Sequence, residues 1–150
     1  MKITKEIEEY DNLKTRVLKY VIYKKRTEKE IRQKFSENAG NMLEDVIEYL
    51  KQENYINDKV YIERAVNEYI ALKNLSIKEL DYKLYSKGLK KDLINEYIYD
   101  NKEKLLEYEL KSAENIVNKK SNSMETEEIK QYLKKKGYME ETINVILYDK

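Results

Sequence analysis

Pairs of neighbouring acids are the residues of this chain whose types would suit acid–base catalysis or metal binding. Three of them, all Glu-Glu pairs, are candidates, and an Asn-Asp step adds a fourth: Glu8/Glu9, Glu127/Glu128, Glu140/Glu141 and Asn57-Asp58. The chain contains no histidine and no cysteine, which excludes imidazole and thiolate ligands and the nucleophile systems built on them. The acids lie in first turns or on solvated faces of predicted helices, and Asp58 is expected to be a helix N-cap. We therefore predict no catalytic residue, no metal site, no cofactor and no enzyme.

Basic residues cluster near the predicted helix ends. The clusters are Lys24-Lys25-Arg26, Lys87 with Lys90-Lys91, and Lys134-Lys135-Lys136. One explanation is structural, since cations near a helix C-terminus offset the helix dipole and keep the surface soluble. The other is functional, namely an interrupted basic stripe that faces a nucleoprotein or an acidic partner. The formal net charge of +1 argues against a large surface for bare phosphate but allows such local faces.

The elements that position these residues repeat at an interval of 49 residues. Candidate helix N-caps recur at this interval (76 − 27 and 125 − 76), and each precedes a glutamate by three residues, as in a capping box: Thr27, Ser76 and Glu125. Gly88 and Gly137 share the interval and are predicted to end helices in a left-handed conformation. Gly40 misses the register by one residue and is predicted to end a helix as well. The pattern indicates an internal repeat of helical modules.

The sequence predicts an all-α fold of three tandem three-helix modules. Proline is absent and glycine occurs only three times, which favours helices over turn-rich β-structure. The predicted modules are residues 1–54, 55–100 and 101–150. No apolar run approaches the ~20 residues that a membrane span needs, and the acidic start of the chain is unlike a signal peptide. We expect a cytoplasmic monomer.

Four segments occur in an order that is typical of one known family. They are VLKYVIYKKRTEKEIRQKF, YLKQENYIND, SIKELDYKLYSKGL and IKQYLKKKGYMEETINVIL. Their clearest features are the basic run leading into Thr27-x-x-Glu30, the joint Tyr55-Ile56-Asn57-Asp58, and the step Lys87-Gly88-Leu89. From about Leu13 to Leu147 the chain resembles the RecX family, regulators of the RecA recombinase.

The resemblance implies an elongated, curved array without an active site that binds in the groove of the RecA filament on single-stranded DNA. Contacts with successive protomers would restrain ATP hydrolysis, strand exchange and co-protease action, and so act in recombination, DNA repair and the SOS response. Direct contact with DNA would be weak, and no membrane partner is implied. Carried over to this sequence, the partner-binding residues would be Lys24, Lys25, Arg26, Lys87, Lys134, Lys135 and Lys136.

Two other functions are compatible with a helical repeat. A three-helix module can house a helix-turn-helix, which would make the protein a direct nucleic-acid binder. Tyr20 and Tyr23 could then stack on bases, although packing at the edge of the core is the interpretation that we favour. The second alternative is a helical scaffold for an unrelated protein, because repeat architecture does not determine a partner.

Overall fold

The computed structural model describes residues 2–149, and the regular structure in this range is entirely helical. It comprises nine α-helices and a short 3-10 turn at Ser36–Asn38: α1 (Lys2–Tyr23), α2 (Glu28–Lys34), α3 (Asn41–Gln52), α4 (Asp58–Leu72), α5 (Ile77–Ser86), α6 (Lys91–Asp100), α7 (Lys102–Lys120), α8 (Thr126–Lys135) and α9 (Glu140–Leu147). The prediction of an all-α fold is confirmed. Between residues 2 and 149 no helix is long and apolar enough to cross a bilayer.

The helix that follows each predicted cap begins where the 49-residue interval places it. These helices are α2, α5 and α8, which start one residue after Thr27, Ser76 and Glu125. At α8 the Glu128 carboxylate accepts a hydrogen bond from the Glu125 backbone N–H at 3.2 Å. The other end of α8 is a Schellman turn, because the Tyr138 N–H donates to the Leu133 carbonyl at 3.1 Å and the Gly137 N–H to Lys134 at 3.0 Å. Short-range capping chemistry therefore sets these boundaries.

Gly40 does not end a helix in the way predicted for the three glycines. The helix before it, α2, already ends at Lys34, and the 3-10 turn intervenes. Gly40 is instead the N-cap of α3, with φ of 141° and ψ of −170°. The corresponding helices α6 and α9 have Lys90 and Met139 as N-caps, so Gly40 is the counterpart of these residues rather than of Gly88 and Gly137.

The described residues form two compact units. The first contains residues 2–61 together with Lys87–Leu89, and the second contains Ile62–Ser86 together with residues 90–149. The helix α4 therefore contributes to both, and the short segment after α5 belongs to the first unit. The division into three modules at residues 54 and 100 stays a prediction.

The core of the first unit is formed by side chains from α1, α2 and α3 and from the segment that follows α3. Its buried members are Leu13, Val17, Val21, Ile31, Phe35, Leu43, Val46, Ile47, Leu50 and Ile56. On α1 the apolar stripe begins earlier, yet Ile3 is 72% and Ile7 is 55% exposed. The first turns of α1 thus extend past the core that the rest of this helix covers.

The second unit buries aliphatic side chains from α4 to α9. Ile62, Val66, Leu80, Leu84, Ile94 and Leu105 are buried in its first part. A second cluster consists of Ala113, Ile129, Leu133, Tyr138 and Ile143. Leu84 is completely shielded from solvent, as expected for an aliphatic residue in the last turn of α5.

Candidate functional site

The first of two module joints centres on Thr27, the N-cap of α2. Its hydroxyl accepts a hydrogen bond from the Glu30 N–H at 3.2 Å, and its own N–H donates to the Glu30 carboxylate at 2.9 Å. This reciprocal pair is the predicted capping box. The hydroxyl also donates to the Lys87 carbonyl at 2.8 Å, a residue 60 positions later in the chain. One buried hydroxyl therefore caps a helix and joins it to a distant segment.

The second joint reproduces this arrangement around Ser76, the N-cap of α5. The Ser76 hydroxyl accepts from the Glu79 N–H at 3.0 Å, and the Ser76 N–H donates to the Glu79 carboxylate at 3.1 Å. The same hydroxyl donates to the Lys136 carbonyl at 2.7 Å, again 60 positions later. Both contacts lie within the second unit. The 49-residue repeat thus extends to long-range contacts.

A glycine follows the carbonyl acceptor at each joint. Gly88 has φ of 89° and Gly137 has φ of 90°, a backbone region that L-residues with a Cβ rarely adopt. A Cβ on Gly88 would lie 2.6 Å from the Lys29 Cβ, and one on Gly137 would lie 3.0 Å from the Lys78 Cβ. Glycine is therefore needed both for the left-handed turn and for close approach of the capped helix, α2 at the first joint and α5 at the second.

A carboxylate completes each joint by accepting a hydrogen bond from the first N–H of the capped helix. Asp58 at the start of α4 accepts from the Glu28 N–H at 3.3 Å. Glu109 in the middle of α7 accepts from the Ile77 N–H at 3.0 Å, and its second oxygen accepts from the Thr142 hydroxyl at 2.6 Å. Glu109 is completely buried. These acids provide acceptors at helix N-termini, where negative charge is favourable.

The prediction that Asp58 is the N-cap of its own helix is wrong by one residue. The side chain of Asn57 performs this role, because its oxygen accepts from the Val60 N–H at 3.2 Å. Asp58 lies one position into α4, so its carboxylate points toward α2 and is available to Glu28. The Asn-Asp step therefore caps two helices, one with each side chain.

The predicted partner-binding residues lie next to these two joints. Lys24 and Lys25 are exposed in the segment between α1 and Thr27, and Lys87 is exposed although its carbonyl is held by Thr27. The three lysines at the end of α8 are also exposed, and the Lys136 carbonyl is held by Ser76: Lys134, Lys135 and Lys136. Within each unit the fold thus brings basic residues to a joint, and their role toward a partner stays a prediction.

Arg26 and the two tyrosines before it have different surroundings. The Arg26 guanidinium lies over the Tyr20 ring at 4.1 Å, and this ring meets Phe35 edge-on with 5.8 Å between the ring centroids. Tyr20 is therefore engaged in packing, as we favoured. Tyr23 is 86% exposed, so the packing interpretation does not apply to it.

An ion-pair network lies beside the first joint. Glu28 is bound by Lys51 at 2.6 Å and by Arg32 at 3.1 Å, and Arg32 also forms a bidentate pair with Glu44. Partial burial alone would raise the pKa of Glu28, but the hydrogen bonds from Lys51 and Arg32 outweigh it and lower this pKa. The hydrogen bond to Glu28 correspondingly raises the pKa of Lys51.

Buried hydroxyl groups lie beside the second joint. The Tyr108 hydroxyl donates to the Lys73 carbonyl at 2.6 Å and accepts from the Leu75 N–H at 3.0 Å, which fixes the segment before Ser76. Burial raises the pKa of both Tyr108 and Tyr138. Sequence reasoning missed Tyr108 and Glu109. Glu109 follows Asp58 by 51 residues rather than 49, and this shift hides the correspondence.

These features are those of a helical protein built on repeats. Among residues 2–149 no group of three acids is placed to hold a metal ion. The acid pairs Glu127/Glu128 and Glu140/Glu141 lie in the first turns of α8 and α9, where they suit the helix dipole. The fold and the two joints therefore define a tandem helical-repeat protein.

Comparison with known proteins identifies relatives of this chain. It is 31% identical over 150 residues to the regulatory protein RecX of Staphylococcus epidermidis, covering 94% of this chain and 56% of that protein. It is 29% identical over 145 residues to the regulatory protein RecX of Clostridioides difficile, covering 93% of this chain and 68% of the relative. Over most of its length the chain is therefore similar to regulatory RecX proteins. No family model matches the sequence.

Two solved structures share the fold. The crystal structure of RecX from Lactobacillus salivarius superposes with a TM-score of 0.80 at 24% identity, covering 95% of this chain and 97% of that one. A second crystal structure, of a regulatory protein RecX, gives a TM-score of 0.79 at 19% identity over 97% of this chain and 75% of the other. At these identities the comparison establishes the helical fold.

Proposed function

We propose that this chain regulates the RecA recombinase by binding, in the cytoplasm, the filament that RecA forms on single-stranded DNA. Binding would restrain ATP hydrolysis, strand exchange and co-protease activity. The observation that carries this proposal is the similarity to regulatory RecX proteins over 94% of the chain. Because the chain spans 56% of the Staphylococcus epidermidis relative, the proposal concerns the activity of this length of sequence.

The basic residues at the joints support this proposal in physical terms. A chain with a formal charge of +1 is poorly suited to gripping bare phosphate, whereas small basic faces suit separate acidic patches on repeated protomers. Several weak contacts of this kind add up when one molecule makes them simultaneously. We propose that the contacts come from Lys24, Lys25, Arg26, Lys87, Lys134, Lys135 and Lys136.

Regulation of this kind needs no chemistry by the chain itself. A protein that binds one conformation of the filament more tightly than another shifts the filament toward that conformation. Slower ATP turnover then follows from differential affinity. We propose that the chain acts in this way as a monomer, with at most weak contact to the DNA.

The test is the ATPase rate of preformed RecA filaments on single-stranded DNA as this protein is added. We expect the wild-type protein to slow turnover, and the variant Lys134→Glu/Lys135→Glu/Lys136→Glu to do so less. These lysines are exposed, and Ser76 binds the backbone of Lys136 rather than its side chain, so the helical content should not change.

A matched control reverses three exposed lysines away from both joints: Lys5→Glu, Lys19→Glu and Lys119→Glu. It changes the net charge by the same amount, so it separates a local effect from a general one. Absence of inhibition by the wild-type protein would refute the proposed function. Equal inhibition by the wild type and the α8 variant would leave the function standing and refute this basic site.

A further inference from the structure

The second unit contains an open apolar groove between α5, α6 and α7. Its volume is about 530 Å³. The half-buried side chains of Ile77, Ile98, Leu106 and Met139 line it, and Tyr99 stands at its edge with 79% of its surface exposed. A large aromatic side chain next to a cavity of this kind is a typical anchor point in protein interfaces.

The corresponding place in the first unit is occupied by charged groups. In the 49-residue register Ile77 corresponds to Glu28 and Asp81 corresponds to Arg32. Glu28 and Arg32 pair with each other at 3.1 Å, and Glu28 also pairs with Lys51 at 2.6 Å. The apolar side chain at the position of Ile77 is therefore particular to the second unit, and the first joint forms without it.

The rim of the groove carries positive charge. Lys78 and Lys102 are exposed and line it, and neither forms a salt bridge with the other residues that the structure describes. The acid at the rim, Asp81, is already bound by Lys91 with oxygen distances of 2.7 and 2.8 Å. The deeper acid, Glu109, has its oxygens occupied by Ile77 and Thr142. An incoming group therefore meets two available ammonium groups above an apolar floor.

We propose that this groove binds a protein segment that inserts one large apolar side chain and places carboxylates against Lys78 and Lys102. The inference rests on the proposed function, in that the protein component of the RecA filament supplies the segment. An apolar floor favours a protein over the backbone of a nucleic acid, because phosphates and sugars have no apolar side chain to bury there. The two lysines select acidic neighbours of that side chain by charge complementarity.

The experiment measures cosedimentation of the protein with preformed RecA filaments on single-stranded DNA. The variant Lys78→Glu/Lys102→Glu should weaken binding about 10-fold, since each reversal loses an attraction and introduces a repulsion. Tyr99→Ala, which truncates an exposed residue, should weaken binding about 5-fold, because truncation of an interface anchor commonly costs about that much. The matched control Lys111→Glu/Lys119→Glu reverses two exposed lysines of α7 outside the groove and should bind within about 2-fold of wild type. Circular dichroism checks that all variants remain helical.

Each outcome bears on the inference. Wild-type binding with unchanged binding by both groove variants overturns this inference and leaves the proposed function intact. Absence of wild-type binding overturns the proposed function and the inference together. If the groove variants lose affinity for naked single-stranded DNA to the same extent, the occupant is nucleic acid and the inference is wrong. If sedimentation shows a wild-type dimer that the groove variants dissociate, the occupant is a second copy of this chain, which also overturns it.

Discussion

The joints at Thr27 and at Ser76 share their contacts but differ in what surrounds them. Each combines a capping hydroxyl bonded to a carbonyl 60 residues later, a glycine with positive φ, and a carboxylate on the first helical N–H. The first joint is surrounded by ion pairs that are partly exposed. The second surrounds its acid, Glu109, with buried groups. The repeat therefore preserves contacts at the backbone and leaves the neighbouring side chains free to vary.

Because of this difference, the two joints are stabilised by different kinds of interaction. Exposed ion pairs contribute about 0–1 kcal/mol each, because water and salt screen them. A buried carboxylate contributes little net stability when it is paired, yet removal of its hydrogen-bonding capacity leaves buried donors unsatisfied at a cost of several kcal/mol. The second joint should therefore tolerate changes at its acid far less than the first.

The largest expected difference between the joints concerns their acids. Glu109→Gln should lower the free energy of unfolding by about 2–3 kcal/mol, because the amide nitrogen cannot accept the hydrogen bond that a carboxylate oxygen received. Asp58→Asn should cost less than about 1 kcal/mol, since that side chain is half-buried and water can replace it. Urea unfolding followed by circular dichroism measures both, with the exposed neighbour Glu107→Gln as control. Equal losses for the two variants would contradict the comparison.

Substitution of the glycines should give a smaller difference in stability between the joints, and here the first joint should be the more sensitive. Gly88→Ala and Gly137→Ala should each cost about 1–2 kcal/mol for a Cβ at positive φ. Gly88→Ala should cost about 1 kcal/mol more, because its Cβ would lie 2.6 Å from the Lys29 Cβ, against 3.0 Å for Gly137 and Lys78. Thermal unfolding of the two variants tests this order. Gly40→Ala is the reference, because a Cβ there has nothing within 4 Å and only the backbone cost remains.

The smallest effect should come from the ion pairs at the first joint. The pKa of Glu28 is lower in the folded protein than in the unfolded chain, so its contribution is present above the unfolded pKa and disappears as pH falls through the folded pKa. Glu28→Gln should thus cost about 0.5–1 kcal/mol at pH 7, the range of a partly exposed pair. Once the pH is below this lowered pKa the carboxylate is protonated, and the variant and the wild type should converge. Urea unfolding at pH 7 and pH 3 gives the two differences, and a constant difference would show that the ionised carboxylate is not responsible.

Much of the fold could be predicted from local patterns. The N-caps Thr27 and Ser76 and the glycines at 88 and 137 act through residues within one helical turn, so spacing alone identified them. The 3-10 turn before Gly40 was not predictable in this way, because no capping residue or glycine marks it. The predicted N-cap of α4, Asp58, was one residue from the observed cap, because Asn57 beside it is equally suited to capping.

The contacts between distant segments could not be obtained from the pattern. The bonds from Thr27 to Lys87 and from Ser76 to Lys136 involve backbone carbonyls, which leave no mark on the identity of the lysines. Glu109 looks like any other glutamate of a charged helix, and only the packing of α5 and α9 around it distinguishes it. The basic clusters and their place near the helix ends were predictable from the sequence, but the hydrogen bonds to the Lys87 and Lys136 carbonyls were not.

The inclusion of Lys87–Leu89 in the first compact unit has a consequence for the order in which the chain can fold during synthesis. The Thr27 hydroxyl bonds a carbonyl 60 residues downstream. A ribosome that adds about 5–20 residues per second synthesises that carbonyl about 3–12 s after Thr27. The stretch of chain that closes a joint, 60 residues, is thus longer than the 49-residue interval at which the pattern repeats. A nascent chain that ends before Leu89 leaves the N-terminus of α2 open to water, so each joint is completed only when a segment 60 residues downstream has been translated.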